Sequence, residues 1–282
     1  MPSIGAHVKG GIKGGVAHAL EIGAQSMQVF VGSPQMWGTP KYLDEEVAAF
    51  RNGVADQKLG PVFVHGIYLV NLASGNELVY GRSVTALRSQ LNWSDRIGAK
   101  GLIFHPGSAL SDSYEVAIGR VVAALSAVLD GYEGSTRILL EVCAGQGQTI
   151  GDRFEELADI IHALDDDPRL GVCWDTCHLF NAGFDISTAE GLNETVDSFE
   201  RIVGFGRLDA IHANDSKTAL GARVDRHENI GLGHIGEEAF ERMLNHPQLR
   251  DLPWLLEVPG MEKKGPDVEN IQILKRLAGL KI

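Results

Sequence analysis

The stretch GVCWDTCHLFNAGFD, residues Gly171–Asp185, joins a short apolar run to a cluster of polar side chains. Its first five residues are apolar up to the final aspartate, which is typical of a strand buried on both faces of a parallel sheet. Asp175 stands where that strand ends, and His178 follows three residues later in the predicted turn. The stretch therefore predicts a strand that delivers chemically active side chains at its carboxyl end.

Seven other segments share the length and the apolar character of this strand. Most of them span four to six residues, as strands buried in a parallel sheet do. The eight predicted strands are Ser3–Val8, Met27–Val31, Pro61–His65, Gly101–His105, Ile138–Val142, Gly171–Asp175, Leu208–His212 and Pro253–Val258.

Segments with helical spacing of apolar residues lie between these strands. They include Asp44–Gln57, Leu78–Ile97, Tyr114–Leu129, Arg153–Leu164, Leu192–Val203, Glu237–Leu244 and the closing helix Val268–Leu277. Strand–helix alternation repeated eight times predicts an α/β protein, a (β/α)8 TIM barrel with its active site at the C-terminal face of the strands. No linker interrupts the pattern, so we expect residues 1–282 to form a single TIM-barrel domain.

The bulk composition narrows the class of protein. With 44% hydrophobic and 22% charged residues the chain is typical of a globular protein, and no apolar run has the length of a membrane span. The first residues show no secretory signal, and three cysteines are too few for a disulfide framework, so we expect a cytoplasmic protein. A net charge of −12 argues against a non-specific nucleic-acid coat but leaves room for a locally positive cleft.

Six consecutive predicted strands end in a side chain that can bind a metal. The intervals between these residues each correspond to about one strand–helix unit. In a barrel the carboxyl ends of the strands converge on one face, so we expect the six side chains to form a ring. They are His65, His105, Glu141, Asp175, His212 and Glu257.

Two local pairs extend this ring. His178 lies three residues after Asp175, and Asp225 lies two residues before His227 in the polar loop after the seventh strand. The candidate ligands then comprise five imidazoles and four carboxylates, a mixture that suits zinc, iron, manganese or nickel better than Ca²⁺ or Mg²⁺. So many ligands exceed the needs of one ion, and the count predicts two or three ions that share a carboxylate.

The two cysteines of the opening stretch are expected to have structural roles. Side chains alternate along a strand, so Cys173 shares the face of Asp175 but lies deeper in the barrel, as a small buried hydrophobe. Trp174 then points outward to the helix layer. Cys177 lies in the turn between two candidate ligands, and we expect it not to bind a metal.

Eight motifs are distributed along nearly the whole chain. They are IGAHV (Ile4–Val8), HGIYLVNLAS (His65–Ser74), FHPGS (Phe104–Ser108), LLEVCAGQG (Leu139–Gly147), GVCWDTCHLFNAGFD (Gly171–Asp185), HANDSK (His212–Lys217), RVDRHENIGLGHIG (Arg223–Gly236) and LLEVPG (Leu255–Gly260). Together they resemble the endonuclease IV family of abasic-site DNA endonucleases. All the candidate ligands match the positions of that family's trinuclear zinc ligands.

The resemblance implies three Zn²⁺ ions per chain, for which Mn²⁺ or Fe²⁺ can substitute. The first ion would be held by His65, His105 and Glu141. The second ion, to which Glu141 bridges, would also be held by Asp175, His212 and Glu257. The third ion would be held by His178, Asp225 and His227.

The resemblance also implies a reaction. The family cleaves the phosphodiester on the 5′ side of an abasic site, which leaves a 3′-hydroxyl and a 5′-deoxyribose phosphate, and it trims blocked 3′ ends. The catalytic residues would be Glu141 and Glu257, either of which can orient the attacking water. The expected partner is double-stranded DNA with abasic sites or blocked 3′ ends. We expect a monomer with no membrane association, located at the nucleoid if the source is bacterial.

An abasic nucleotide lacks base stacking, so it leaves the duplex at low cost, and apolar wedges can hold the resulting gap open. Two segments of the chain match the family's DNA-penetrating positions, one just after His65 and the other at Ser33–Trp37. The predicted DNA contacts are Gln35, Met36, Tyr68, Leu69 and Arg226.

The chain departs from the family pattern at several positions. The family commonly has Asn and often Arg where this chain has Ser33 and Gln35. It often has Asn-Thr where this chain has Val142 and Cys143. His234 occupies a variable position and is not an expected ligand.

Two other functions fit parts of the pattern. A sugar isomerase or epimerase can use a divalent metal on the same barrel, and the fold alone does not exclude it. Such sites favour carboxylates and often a catalytic lysine, and they need no Asp-x-His loop. A non-catalytic, metal-loaded binder of DNA lesions is the other alternative, and it would be expected to lack a ligand or the bridging glutamate.

Overall fold

Eight parallel strands close into a barrel in this computed structural model, which describes residues 1–38 and 41–281. The barrel strands are β1 (Ser3–His7), β2 (Ser26–Val29), β3 (Val62–His65), β4 (Gly101–Phe104), β5 (Arg137–Glu141), β6 (Leu170–Asp175), β7 (Leu208–Ala213) and β10 (Pro253–Leu256). Each pairs with its neighbour in the chain order, and β10 closes the ring against β1. Two short antiparallel strands, β8 (Asp215–Ser216) and β9 (His227–Glu228), form a hairpin outside the barrel. The predicted (β/α)8 TIM barrel is confirmed.

Helices follow most of the barrel strands. They are α1 (Gly11–Glu21), α2 (Asp44–Asp56), α3 (Glu77–Ile97), α4 (Tyr114–Leu129), α5 (Phe154–His162), α6 (Thr176–Ala182), α7 (Ala189–Ile202), α8 (Glu237–Asn245) and α9 (Val268–Leu277). Side-chain caps fix several of their starts: Asn76, for example, accepts hydrogen bonds from the first backbone N–H groups of α3. Within the described residues, every helix is too short or too polar to cross a membrane.

Alternating side chains divide each strand between the barrel interior and the helix layer. One interior layer, fully buried, consists of Phe63, Ile103, Leu139, Cys173, Ala210 and Leu255. Trp174 points the other way, and its ring lies 6.0 Å from that of Phe154 in α5 and 5.1 Å from that of Phe199 in α7. The predicted placements of Cys173 and Trp174 are therefore confirmed. This apolar layer closes the barrel below the polar side chains at the strand ends.

Three local features differ from the sequence predictions. The pattern did not predict α1, because its sequence GIKGGVAHALE contains three glycines, which have low helix propensity. The turn predicted after Asp175 is wrong: α6 begins there, because the Asp175 carboxylate caps it by accepting a hydrogen bond from the His178 backbone N–H at 2.8 Å. The polar loop predicted after the seventh strand contains regular structure, because β8 pairs within it with β9, which includes His227.

Candidate metal centre

The six strand-end side chains form a single cluster at the C-terminal face of the barrel. His65, Glu141 and Asp175 end their strands, whereas the other three lie within or just after theirs. Glu141, Asp175 and His212 are completely buried. The ring expected from the sequence is therefore present, and the closure of the barrel brings together residues that are far apart in sequence.

The first group of potential ligands consists of His65, His105 and Glu141. The Nε2 atom of His65 lies 3.2 Å from Oε2 of Glu141, and Nε2 of His105 lies 3.0 Å from the same oxygen. The three ligand atoms are thus close enough together to surround one ion.

The second group shares Glu141 with the first and adds Asp175, His212 and Glu257. Here Nδ1 of His212 lies 2.8 Å from Oε1 of Glu141 and 3.3 Å from Oε2 of Glu257. Since Oε2 of Glu141 faces the first group and Oε1 faces the second, one carboxylate lies between two potential ion positions.

The third group consists of His178, Asp225 and His227. Oδ1 of Asp225 lies 3.3 Å from Nε2 of His178 and 3.2 Å from Nε2 of His227. Both Nε2 atoms are buried and have no hydrogen-bond partner among the described residues. Buried polar atoms normally have partners, so this pair of nitrogens indicates a place for a further group.

Cys177 also lies near this region, within reach of Asp175 and His227. Burial, followed by the charge of Asp175, raises the pKa of its thiol well above the usual range. Only the thiolate is a good metal ligand. Its Sγ lies 3.5 Å from the carbonyl oxygen of Arg226, to which the thiol can donate a hydrogen bond. The geometry thus leaves Cys177 as the poorest donor of the cluster.

Among the described residues, imidazoles are the only basic side chains beside the four carboxylates of the cluster. Among the described residues, no Lys or Arg lies within 4 Å of any of them. Burial alone would raise the pKa of Glu141, but the charges of His105 and His212 outweigh it and hold that pKa well below its usual range. The compensating positive charge must therefore come from protons on imidazoles or from bound cations.

The same balance holds in the third group. Burial by itself lowers the pKa of His178, but the negative charges of Asp175 and Asp225 outweigh it and raise the pKa to about 10. Burial likewise opposes the ionised form of Asp225, yet His178 holds the pKa of that carboxyl below its usual range. Without a cation, the imidazole thus carries the proton that neutralises its carboxylate neighbours.

An aspartate that sequence reasoning missed fixes the loop that carries Asp225 and His227. The carboxylate of Asp215 is completely buried. It accepts hydrogen bonds from five backbone N–H groups, those of Ser216, Gly231, Gly233, Ile235 and Gly236, over 2.8 to 3.2 Å. A Cβ atom at position 233 would overlap this carboxylate, which explains the glycine there.

Arg223 attaches the same loop to the segment after β5. Its guanidinium forms an ion pair with Asp152 and donates a hydrogen bond to the carbonyl of Gly145 at 3.0 Å. Nearby, the backbone N–H of Asp225 donates to Oε1 of Gln146 at 3.3 Å. These contacts hold Asp225 over the cluster although it lies on a long loop.

The predicted DNA contacts lie on the same face of the barrel. Met36 and Tyr68 are 61% and 62% exposed, and the backbone N–H of Tyr68 donates to the carbonyl of Pro34 at 3.1 Å, so their two loops are joined. Gln35 and Arg226 are also exposed, whereas Leu69 is partly buried and packs against the core. The five residues therefore differ in how far they project from the surface.

A cavity of about 630 Å³ opens beside the cluster. Its wall includes the candidate ligands His227 and Glu257 together with His7, Phe30 and Tyr68. Partial burial, followed by the charges of Glu257 and Glu141, raises the pKa of Tyr68 to about 12, so this phenol stays neutral. A molecule in the cavity would contact both the exposed aromatic ring and the cluster.

Several polar residues around the ligands were not predicted from the sequence. Asn214 donates to Oδ2 of Asp175 at 2.7 Å and accepts from the backbone N–H of Glu257 at 2.9 Å. Gln28 contacts His212 and Glu257, and His7 contacts Glu257. A signal for Gln28 was present: it is a polar residue inside an otherwise apolar predicted strand.

Comparison of this sequence with known proteins shows to which family the chain belongs. The model of the xylose isomerase-like TIM barrels matches residues 16–277. "Probable endonuclease 4" of Halothermothrix orenii is 36% identical over 97% of this chain and 99% of its own length. The chain belongs to the endonuclease IV family.

Solved structures agree with this assignment. Endonuclease IV from Thermus thermophilus has a TM-score of 0.86 and 34% identity, with 99% of each chain covered. A D-tagatose 3-epimerase-like protein has a TM-score of 0.71 at 18% identity, over 98% of this chain and 97% of its own. This second likeness reflects the fold alone.

Replacing Asp215 with alanine should destabilise the protein. Buried N–H groups would lose a charged acceptor, and each buried unsatisfied donor costs about 1–3 kcal/mol. We expect the free energy of unfolding in urea, measured with a chelator present, to fall by at least about 3 kcal/mol. The exposed Asp130→Ala variant is the control and should change it by less than about 0.5 kcal/mol. Equal stability of the two variants would contradict the role assigned to Asp215.

Proposed function

We propose that this protein is a DNA repair endonuclease that hydrolyses the phosphodiester on the 5′ side of abasic sites and trims blocked 3′ ends, with three bound zinc ions. The observation that carries the proposal is the position of Glu141, whose two oxygens face two different groups of ligand atoms. Membership of the endonuclease IV family supports the substrate, which is duplex DNA.

The residues of the cluster fit zinc. Imidazole and carboxylate donors in groups of three or four match the coordination that zinc takes in proteins. The unpartnered Nε2 atoms of His178 and His227 point to the same conclusion, as does the lack of Lys or Arg beside the carboxylates among the described residues. The first ion would be held by His65, His105 and Glu141. The second would be held by Glu141, Asp175, His212 and Glu257. The third would be held by His178, Asp225 and His227.

Bound zinc lowers the pKa of water and stabilises negative charge on phosphate oxygens. The protein's own residues set the direction of attack. Glu257 stays ionised, because the charge of His212 outweighs the effect of burial and lowers the pKa of this carboxyl. With Glu141 it orients the water, whose proton passes through solvent to the departing 3′ oxygen. The water oxygen bonds to phosphorus, the bond from phosphorus to the 3′ oxygen of the preceding nucleotide breaks, and that oxygen leaves as a 3′-hydroxyl.

An acidic protein can bind DNA in this way because its positive charge is concentrated at one place. The chain carries a net charge of −12. Three Zn²⁺ ions would more than neutralise the four carboxylates of the cluster, so the cleft would attract phosphate while the rest of the surface stays acidic. The salt dependence of binding should then be moderate rather than steep.

The exposed side chains beside the cluster suit the recognition of a gap in the duplex. Tyr68 and Met36 project from two joined loops and would fill the space that a missing base leaves. Leu69 would support Tyr68 from its partly buried position, and Gln35 and Arg226 would contact the DNA backbone. We propose further that residues 1–282 act as one domain and as a cytoplasmic monomer.

The first test is cleavage of a synthetic abasic duplex. Purified protein should contain about three zinc ions per chain and should nick this duplex without added Mg²⁺. An undamaged duplex and a sugar isomerisation assay serve as controls, and neither should give product. One ion or none per chain, together with no nicking after zinc reconstitution, would contradict the proposal.

Replacing Glu141 with glutamine should abolish cleavage and preserve recognition of the lesion. The amide cannot bridge two cations, so kcat should fall by at least about 10²-fold, while a gel shift should still detect binding to the abasic duplex. Glu262, which is exposed and paired with Lys264, provides the matched control E262Q. Full activity of the Glu141→Gln variant would refute the bridging role.

Replacing Tyr68 with alanine should weaken binding of abasic DNA more than of undamaged DNA. Loss of one aromatic contact costs about 1–3 kcal/mol, which is about 5- to 150-fold in Kd. Val116 in α4 is 48% exposed, and its alanine variant controls for loss of exposed apolar surface elsewhere. Fluorescence anisotropy would measure both. An unchanged preference for the abasic duplex in the Tyr68→Ala variant would show that Tyr68 does not fill the gap.

A further inference from the structure

Gln28 is a completely buried polar residue that lies beside the metal-ligand cluster. It lies in β2, between the buried apolar residues Met27 and Val29. A buried amide is costly unless both its oxygen and its nitrogen find partners. The contacts of Gln28 should therefore explain why a glutamine occupies this buried strand.

The amide of Gln28 bonds to two residues of the second ligand group. Its Nε2 donates a hydrogen bond to Oε1 of Glu257 at 2.6 Å, and its oxygen accepts one from Nε2 of His212 at 2.9 Å. The reverse orientation of the amide would place its oxygen against a carboxylate oxygen, which is repulsive. The hydrogen bonds therefore fix which end of the amide faces which ligand.

This contact determines the tautomer of His212. Because an amide oxygen can only accept, Nε2 of His212 must carry a proton. The other nitrogen, Nδ1, is then the one available as a ligand, and it faces Oε1 of Glu141 at 2.8 Å and Oε2 of Glu257 at 3.3 Å. Partners on the far nitrogen of a ligating histidine fix its ring in this way.

The same amide also gives the two oxygens of Glu257 different partners. Oε1 is occupied by Gln28 and by Nδ1 of His7, which lies 3.0 Å away. Oε2 is left for the second ligand group. One side chain thus prepares two ligands of the same ion position, one through its acceptor and the other through its donor.

We propose that Gln28 is a positioning residue for the second ion, which it serves by selecting the His212 tautomer and directing Oε2 of Glu257. The inference rests on the proposed metal centre, and it assigns to this chain a supporting residue that acts through two ligands without touching the ion. A purely structural role would instead make Gln28 a spacer inside the barrel, with no specific effect on the affinity for metal.

The test compares the wild type with Gln28→Met, which keeps the volume of the side chain and removes its polar contacts with His212, Glu257 and His7. Zinc affinities are measured by competition with a chromophoric chelator, and Co²⁺-substituted protein is compared by visible absorption. We expect one of the three ions to bind about 10–100-fold more weakly, with a changed Co²⁺ spectrum. The other two ions should retain their wild-type affinities.

A matched control is available three residues earlier in the chain. Oε1 of Gln25 accepts a hydrogen bond from the backbone N–H of Ile4, at the opposite end of the barrel from the cluster. Gln25→Met makes the same chemical change there, so it should leave all three zinc affinities and the Co²⁺ spectrum unchanged. Thermal unfolding of the metal-free variants separates effects on folding from effects on the ions.

Three results would overturn the proposal. Wild-type affinity for all three ions in Gln28→Met would show that neither hydrogen bond prepares a ligand. An equal loss at every ion would indicate a general disturbance instead. If Gln28→Met does not fold, Gln28→Ala removes the same bonds without a steric demand, and three ions bound at wild-type affinity by that variant would be equally decisive. Absence of zinc in the wild-type protein would instead refute the proposed metal centre itself.

Discussion

Two completely buried carboxylates, Glu141 and Asp175, define the constraint on which the rest of the site depends. Isolated negative charge is too costly in a protein interior unless positive charge accompanies it. Among the described residues, the groups within 4 Å of these two carboxylates that can carry positive charge are all imidazoles. The barrel supplies the fixed positions, since parallel strand ends converge, but the charge balance requires protons or cations. The proposed zinc ions resolve this conflict and in the same step produce the positive potential that a phosphate backbone needs.

Hydrogen bonds from the surrounding polar groups fix the orientation of the ligand side chains, which the strands alone do not determine. Asn214 holds Asp175, Gln28 holds His212 and Glu257, and Asp215 organises the loop of the third group. Each of them makes hydrogen bonds at both ends or to several partners, so none is left unsatisfied in the interior. The third group depends most on such support, because two of its members come from a long loop rather than from a barrel strand.

The sequence allowed the barrel and the cluster to be predicted for the same reason. Runs such as Gly171–Asp175 are apolar up to the residue that reaches the ligand face of the barrel, so the sequence shows the strand end and the candidate ligand together.

The elements that the sequence did not predict have local causes. The glycines of α1 weaken its helical pattern, and the cap on α6 depends on a side chain that also counts as a candidate ligand. Gln28, Asn214 and Asp215 were missed because their roles appear only when distant strands are brought together. Of the two cysteines in Gly171–Asp185, Cys173 packs in the barrel interior and Cys177 is a poor donor.

The central claim is that one glutamate lies between two of three metal ions. Anomalous diffraction at the zinc absorption edge, from crystals of zinc-loaded protein, tests it most directly. The account predicts three anomalous peaks, with the two oxygens of Glu141 ligating different ions and with Cys177 ligating none. A single peak, or an ion coordinated by Cys177 in place of the carboxylates, would contradict it.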